Sequence, residues 1–188
     1  MLFLAIIFLS LFILTSKLFP ELIPNRVDTW ISRIENFNNG DDLESNYQIE
    51  KAKTAIASGG ILGLGAGKSV MKNFLPQSSS DFIYAIIIEE FGLVGGLGII
   101  ILYLLLLFRI IVIAHKSKKF FGKLLVIGLG IPVVIQAFVN IGVALQILPV
   151  TGQNLPLISS GGTAAWITCI SFGIILSVST YSEQKDDD

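Results

Sequence analysis

The stretch Phe74-Leu75-Pro76-Gln77-Ser78-Ser79-Ser80-Asp81-Phe82-Ile83-Tyr84-Ala85-Ile86-Ile87-Ile88-Glu89-Glu90-Phe91-Gly92 decides the fold. A polar loop ends at Asp81, and a long apolar helix begins immediately after it. One carboxylate therefore stands at the mouth of a membrane segment, and two more, Glu89 and Glu90, lie inside the same segment. The rest of the chain reads as scaffold for this corner or as walls around it.

The whole chain supports a bilayer setting. Of its 188 residues 53% are hydrophobic and only 14% charged, with mean hydropathy +0.76, where a soluble domain carries about 25% charge. A net charge of -1 makes no case for nucleic-acid binding. The one cysteine, Cys169, lies in an apolar run, so neither an intrachain disulfide nor a cysteine-based metal site can be built. The one histidine, His115, sits beside Lys116 and reads as a solvated loop residue.

Four apolar spans give an all-α integral membrane protein with four transmembrane helices, expected over 1–18, 82–108, 124–148 and 163–180. The first lacks the basic leader and small-residue cleavage site of a signal peptide. A chain that opens inside an apolar helix reads as the C-terminal part of a longer protein. Between helices, the segment 109–123 holds Arg109, Lys116, Lys118, Lys119 and Lys123 with no acid, a cytoplasmic signal. Residues 19–81 are then a large extracellular loop and 149–162 an extracellular, re-entrant-like loop, while 181–188 form a cytoplasmic tail. Loops beyond about 60 residues escape the charge rule, so basic residues in the outer loop do not contradict this orientation.

Within the outer loop a short amphipathic helix is expected around Trp30 to Ile34, and helical spacing over 47–58. The glycine-rich run Gly59 to Gly67 comes next and should pack closely on the membrane surface or the helix bundle. Gly67-Lys68-Ser69 imitates the end of a P-loop, but Leu62 stands where that motif needs glycine and no strand precedes it. Gly92 and Gly96, four apart, form a small-xxx-small face and a candidate docking groove, which internal packing explains equally well. Gln136 and Asn140 are also four apart and share a helix face.

Asp81 has two readings. It can cap the helix, a task Ser80 can also perform, or it can serve as a partly desolvated general base at a cavity lip. Glu89 and Glu90 lie roughly 12 Å further along the helix at 1.5 Å per residue. They are either functional membrane carboxylates or structural partners of Gln136 or Asn140. The stretch Leu148 to Gly162, with two prolines and three glycines, is irregular but apolar, a backbone tolerated at membrane depth where it lines a cavity. It is expected to form one wall of a pocket opposite Asp81. Lys68, Lys72, Ser80, Glu89, Glu90, Gln136, Asn140, Thr151 and Ser159 are the candidate substrate contacts.

The stretches SGGILGLGAGKSVMKNFLPQSSSDFIYAIIIEEFGLVGG and QAFVNIGVALQILPVTGQNLPLISSGG, with the basic loop between them, resemble the SEDS family (FtsW/RodA/SpoVE), most closely its FtsW cell-division branch. The resemblance covers residue 47 to about 180. It implies the last four helices of a ten-helix fold in the bacterial cytoplasmic membrane, with the active site outside. It also implies a peptidoglycan glycosyltransferase that polymerises lipid II during division or cell-wall growth, with the family's essential aspartate on Asp81. Implied partners are a class B penicillin-binding protein transpeptidase and other divisome proteins. No cofactor is certain, although a divalent cation, Mg or Mn, can serve the pyrophosphate, for which Lys68 and Lys72 are the other candidates. Many members have Glu at the position of Gln77 and Thr at that of Ser80, so no catalytic role is carried onto position 77. The family's earlier helices supply part of its cavity, which leaves the activity of this chain alone open. The competing readings are a lipid II flippase using Glu89, Glu90, Gln136 and Asn140 as a polar path, and a non-catalytic transpeptidase scaffold.

Overall fold

A computed structural model describes residues 43–75 and 80–184. The expected helix over 1–18, the amphipathic turn near Trp30, Gln77 and the end of the tail lie outside the described residues. The chain divides into two compact units, Met1–Asn46 and Tyr47–Asp188, and almost all of the described residues belong to the second.

Every regular element among the described residues is helical: α1 (Leu43–Gly59), a 3-10 turn (Met71–Asn73), α2 (Ile83–Lys116), α3 (Phe120–Ala144) and α4 (Gly162–Gln184). Three are long and apolar enough to cross a membrane: Ile83–Lys116 with 34 residues, Phe120–Ala144 with 25 and Gly162–Thr180 with 19. The expected all-α membrane architecture is what the structure has. Large apolar side chains stay exposed along α2 (Leu93, Leu97, Ile101) and α4 (Trp166, Ile167, Ile170), faces that suit an apolar surrounding.

Two helix ends differ from the sequence expectation. α2 continues to Lys116 rather than stopping at Phe108, because Ile110 and Ala114 are buried against Val126 and Val134 of α3 and Ile175 of α4. Arg109 does not end a helix whose neighbours still bury one face, since its long stem lets the charge reach outward. The connection from α2 to α3 is accordingly only Ser117, Lys118 and Lys119. At the other end α3 stops at Ala144, not at 148. Gln146 takes a left-handed conformation (φ 59), with its N–H on the Val143 carbonyl and the Ile147 N–H on that of Gly142. This is a Schellman stop, with glutamine in the usual glycine position. The Gln146 side chain donates to the Ile49 carbonyl of α1 at 3.1 Å, an interaction that offsets part of the left-handed strain.

Two further apolar clusters hold the corner. Tyr84, Ile88 and Tyr103 of α2 pack with Ala137, Ile141 and Ala144 of α3 and with Leu155 from the segment between α3 and α4. Ala52 and Ala55 of α1 pack with Leu75, Phe82, Ala85 and Ile86. α1 and the 145–161 segment are thereby fixed against the first turns of α2, which follow Asp81.

Candidate functional site

Asp81 lies just before α2 and is only 5% exposed. It does not cap the helix. The cap position is Phe82, which makes no side-chain capping bond, and the Asp81 carboxyl instead receives the Ser80 hydroxyl at Oδ1, 2.6 Å away. The main chain beneath it is held from two directions. Asn140 of α3 donates through Nδ2 to the Asp81 carbonyl at 2.9 Å and to the Gln153 carbonyl at 2.6 Å. Ser159 donates through its hydroxyl to the Ser80 carbonyl at 2.6 Å, and the same oxygen accepts the Leu155 N–H at 2.7 Å.

The irregular segment between α3 and α4 lies beside Asp81, tied to α2 and α3. Gln136 Nε2 donates to the Asn154 carbonyl at 3.1 Å and to its Oδ1 at 3.2 Å, and the Tyr103 hydroxyl donates to the Pro156 carbonyl. Irregular backbone inside an apolar bundle must have its polar groups satisfied by protein, and α2 and α3 supply these partners. Gly152, at φ 70, faces the carboxylate: a Cβ there would stand 3.8 Å from Asp81 Oδ2. Gly152 is exposed and Thr151 half-buried.

Glu89 belongs to a different structure. It is 1% exposed, and its carboxylate accepts the Ser69 hydroxyl at 2.5 Å and the Val70 and Met71 N–H groups at 3.1 and 3.3 Å. It thus holds the start of the 3-10 turn, and Ser69 Oγ in turn accepts the Lys72 N–H at 3.1 Å. The structural alternative for Glu89 is realised, but with this loop rather than with Gln136 or Asn140. Glu90 is half-buried, and Lys68 and Lys72 are exposed along the same loop.

Gly92 also departs from the sequence expectation. It is not part of a smooth helix face for a docking helix. α2 breaks there, with φ 69 and ψ -168, and the glycine-rich loop is seated in the break. Leu64 and Gly65 N–H groups bond to the Glu89 and Glu90 carbonyls, both at 2.9 Å. Leu93 and Val94 N–H groups bond to the Gly60 and Ile61 carbonyls at 3.0 and 3.4 Å. A break in a membrane helix frees backbone groups that lipid cannot satisfy, and the loop satisfies them. Contact is backbone to backbone: a Cβ on Gly59, Gly63 or Gly92 would come within 2.2 Å of a carbonyl oxygen. Gly96 is covered from its own helix by Ile88 and the Tyr84 hydroxyl, which bonds the Gly96 carbonyl at 3.2 Å.

The structure thus brings Ser80, Asp81, Gln136, Asn140 and Ser159 into one corner and puts Glu89 in the loop anchor. Sequence reasoning missed Ser69, Tyr103 and Gly152 as members of these arrangements. The Thr-Gly-Gln sequence carries no signal that would have singled out Gly152, whose positive φ is visible only in the structure.

Similarity to known proteins runs through the same segments. The family model described as cell cycle protein, FTSW_RODA_SPOVE, matches residues 1–184. The probable peptidoglycan glycosyltransferase FtsW of Nitrosococcus halophilus is 42% identical over 142 residues, covering 73% of this chain and 37% of that protein. The peptidoglycan glycosyltransferase MrdB of Escherichia coli is 42% identical over 143 residues, 75% of this chain and 39% of the relative. Stage V sporulation protein E of Bacillus subtilis is 39% identical over 155 residues, 81% and 42% of the two chains. The chain thus spans about two fifths of the length of these curated relatives. A chain from a solved structure described as "Structural coordination of polymerization and crosslinking by a peptidoglycan synthase complex" superimposes with TM-score 0.69 at 26% identity, covering 96% of this chain and 49% of that one.

Proposed function

The chain belongs to the FtsW/RodA/SpoVE family of cell cycle proteins, and on that premise we propose that it carries the catalytic corner of a multi-pass membrane peptidoglycan glycosyltransferase. The observation that carries the reading is the Asp81 carboxyl: one oxygen is held by Ser80, and the other is turned toward the exposed Gly152. In the reaction, a sugar hydroxyl of the acceptor lipid II attacks the anomeric carbon of the donor glycan. Its proton passes to Asp81, the new C–O bond forms, and the bond to the pyrophosphate oxygen breaks, releasing undecaprenyl pyrophosphate. One base suffices, because pyrophosphate is already a good leaving group.

Orientation comes from charge. His115 and Lys116 end α2, and Lys118, Lys119 and Lys123 come at once after them, so the positive-inside rule assigns this end to the cytoplasm. Asp81 and the 145–161 segment, at the other ends of α2 and α3, are then extracellular, where a lipid-linked head group projects from the bilayer. The leaving pyrophosphate needs charge compensation, for which the exposed Lys68 and Lys72 are candidates. Among the described residues no three of His, Cys, Asp and Glu converge. A cation such as Mg or Mn is proposed to be held by the substrate's phosphates. A class B penicillin-binding protein is the proposed partner, supported by the likeness to a chain of a polymerisation and crosslinking complex.

The flippase reading is less well supported. Its polar path requires mobile, accessible groups, whereas Glu89, Gln136 and Asn140 are engaged in anchoring loops. The discriminating experiment compares Asp81→Asn with Glu90→Gln in the full-length protein, scoring glycan polymerisation and precursor transport separately. The enzyme reading expects Asp81→Asn to abolish polymerisation and Glu90→Gln to leave it largely intact. Transport lost through Glu90→Gln, with polymerisation by Asp81→Asn unimpaired, would reverse the assignment.

A further inference from the structure

We propose that Asp81 Oδ2 is the oxygen that takes the acceptor proton, and that Ser80, Asn140 and Ser159 are positioning residues that aim it. This inference rests on the polymerase reading and specifies how its base is held.

The two carboxyl oxygens differ. Oδ1 receives the Ser80 hydroxyl at 2.6 Å, so one of its lone pairs is already engaged. Oδ2 points toward Gly152, where the missing Cβ would stand 3.8 Å away. That glycine is exposed and brings no side chain toward Oδ2. A base must come within about 2.6–3.2 Å of the proton-bearing atom, and the acceptor hydroxyl is proposed to approach from the Gly152 side.

The direction of Oδ2 is set by main-chain groups that do not touch it. Ser159 fixes the Ser80 carbonyl and Asn140 fixes the Asp81 carbonyl, one peptide apart. The same two residues also bind the facing wall: Asn140 through the Gln153 carbonyl, next to Gly152, and Ser159 through the Leu155 N–H. Each therefore spans the gap between the base and the surface across which substrate approaches. Asn140 is 1% exposed, and its Oδ1 has no hydrogen-bond partner among the described residues. A buried amide with an unsatisfied oxygen is a poor choice for stability alone and calls for an explanation. It fits a residue placed for its two donors, both of which hold the site.

The experiment measures lipid II polymerisation by the full-length protein with its transpeptidase partner for Ser159→Ala, Ser159→Thr and Ser80→Ala, alongside Asp81→Asn. Misplacing a catalytic group by about 1 Å costs up to about 100-fold in rate. Ser159→Ala is expected to lower kcat by about 10- to 100-fold, with KM within about twofold and the thermal midpoint little changed. Ser159→Thr, which keeps the hydroxyl, recovers most of kcat. Ser80→Ala, on a half-buried residue whose hydroxyl donates to Oδ1, lowers kcat in the same way and stands in should Ser159→Ala fail to fold. The proposal is overturned if kcat is unchanged, if the loss lies in KM, or if Ser159→Thr is as impaired as Ser159→Ala. An inactive Asp81→Asn beside normal Ser159→Ala and Ser80→Ala removes this inference alone, whereas a fully active Asp81→Asn removes the polymerase assignment on which it rests.

Discussion

Replacing Gly92 by alanine tests whether the glycine-rich loop truly occupies a break in α2. At φ 69 and ψ -168 the backbone is in a region that only glycine adopts easily, and an alanine there costs about 1–3 kcal/mol in strain. The new methyl would also lie 2.2 Å from the Ile61 carbonyl oxygen and 2.5 Å from the Gly63 nitrogen. These are backbone atoms that cannot rotate away, so the loop must lift. Lifting it loosens the bonds from Leu93 to Gly60 and from Val94 to Ile61, at about 1 kcal/mol each. The total is about 4 kcal/mol, taking about 2 for strain. The control is Gly98→Ala, where a Cβ meets nothing within 4 Å and helix propensity favours alanine by about 1 kcal/mol. Thermal unfolding of the detergent-solubilised full-length protein, with proteolysis of the loop as a second readout, should separate the two variants clearly. Gly92→Ala should melt well below wild type with a loop open to protease, and Gly98→Ala at or above it. Equal stability of the two would refute the interlock.

Three further perturbations probe neighbouring features. Glu89→Gln leaves a single acceptor oxygen for three donors and sets an NH2 group against one of them; it should destabilise by about 1–3 kcal/mol and raise protease sensitivity at residues 60–75, while Glu90→Gln does neither. Gly130→Ala brings a methyl 2.8 Å from Ile110 side-chain carbons; the overpacking should cost about 1–3 kcal/mol, and Ile110→Val in the same protein should return part of it, as read by thermal midpoint. Gln146→Gly relieves the left-handed strain but loses the bond to Ile49 and should be near neutral, whereas Gln146→Val keeps the strain, loses the bond and should lower the midpoint measurably.

The apolar helices and the position of Asp81 were legible because hydropathy and loop charge act locally along the chain. The motif order from Gly59 to Gly92 and from Gln136 to Gly162 also carried the family. What was not legible depends on partners distant in sequence. Gly92 and Gly96 have the spacing of a helix-packing face, and only the loop arriving from Gly59 to Gly65 turns Gly92 into a break. Glu89 reads either as a functional membrane carboxylate or as a structural partner of Gln136 or Asn140, and only the fold shows that Ser69, Val70 and Met71, some twenty residues earlier, bind it. The end of α2 was misjudged because Arg109 interrupts the hydropathy without interrupting the burial of Ile110 and Ala114. That Asp81 is not the helix cap needed geometry, since Ser80, Asp81 and Phe82 offer three adjacent places for the cap.

Whether Asp81 is the base of a glycan-polymerising site is tested most directly by purified full-length Asp81→Asn in complex with its transpeptidase partner. The measurement is lipid II polymerisation, with products resolved by length. The expected outcome is a loss of about 100-fold or more in rate, the contribution of a general base, with unchanged thermal stability and partner binding. Glycan strands formed at the wild-type rate by that variant would contradict the assignment.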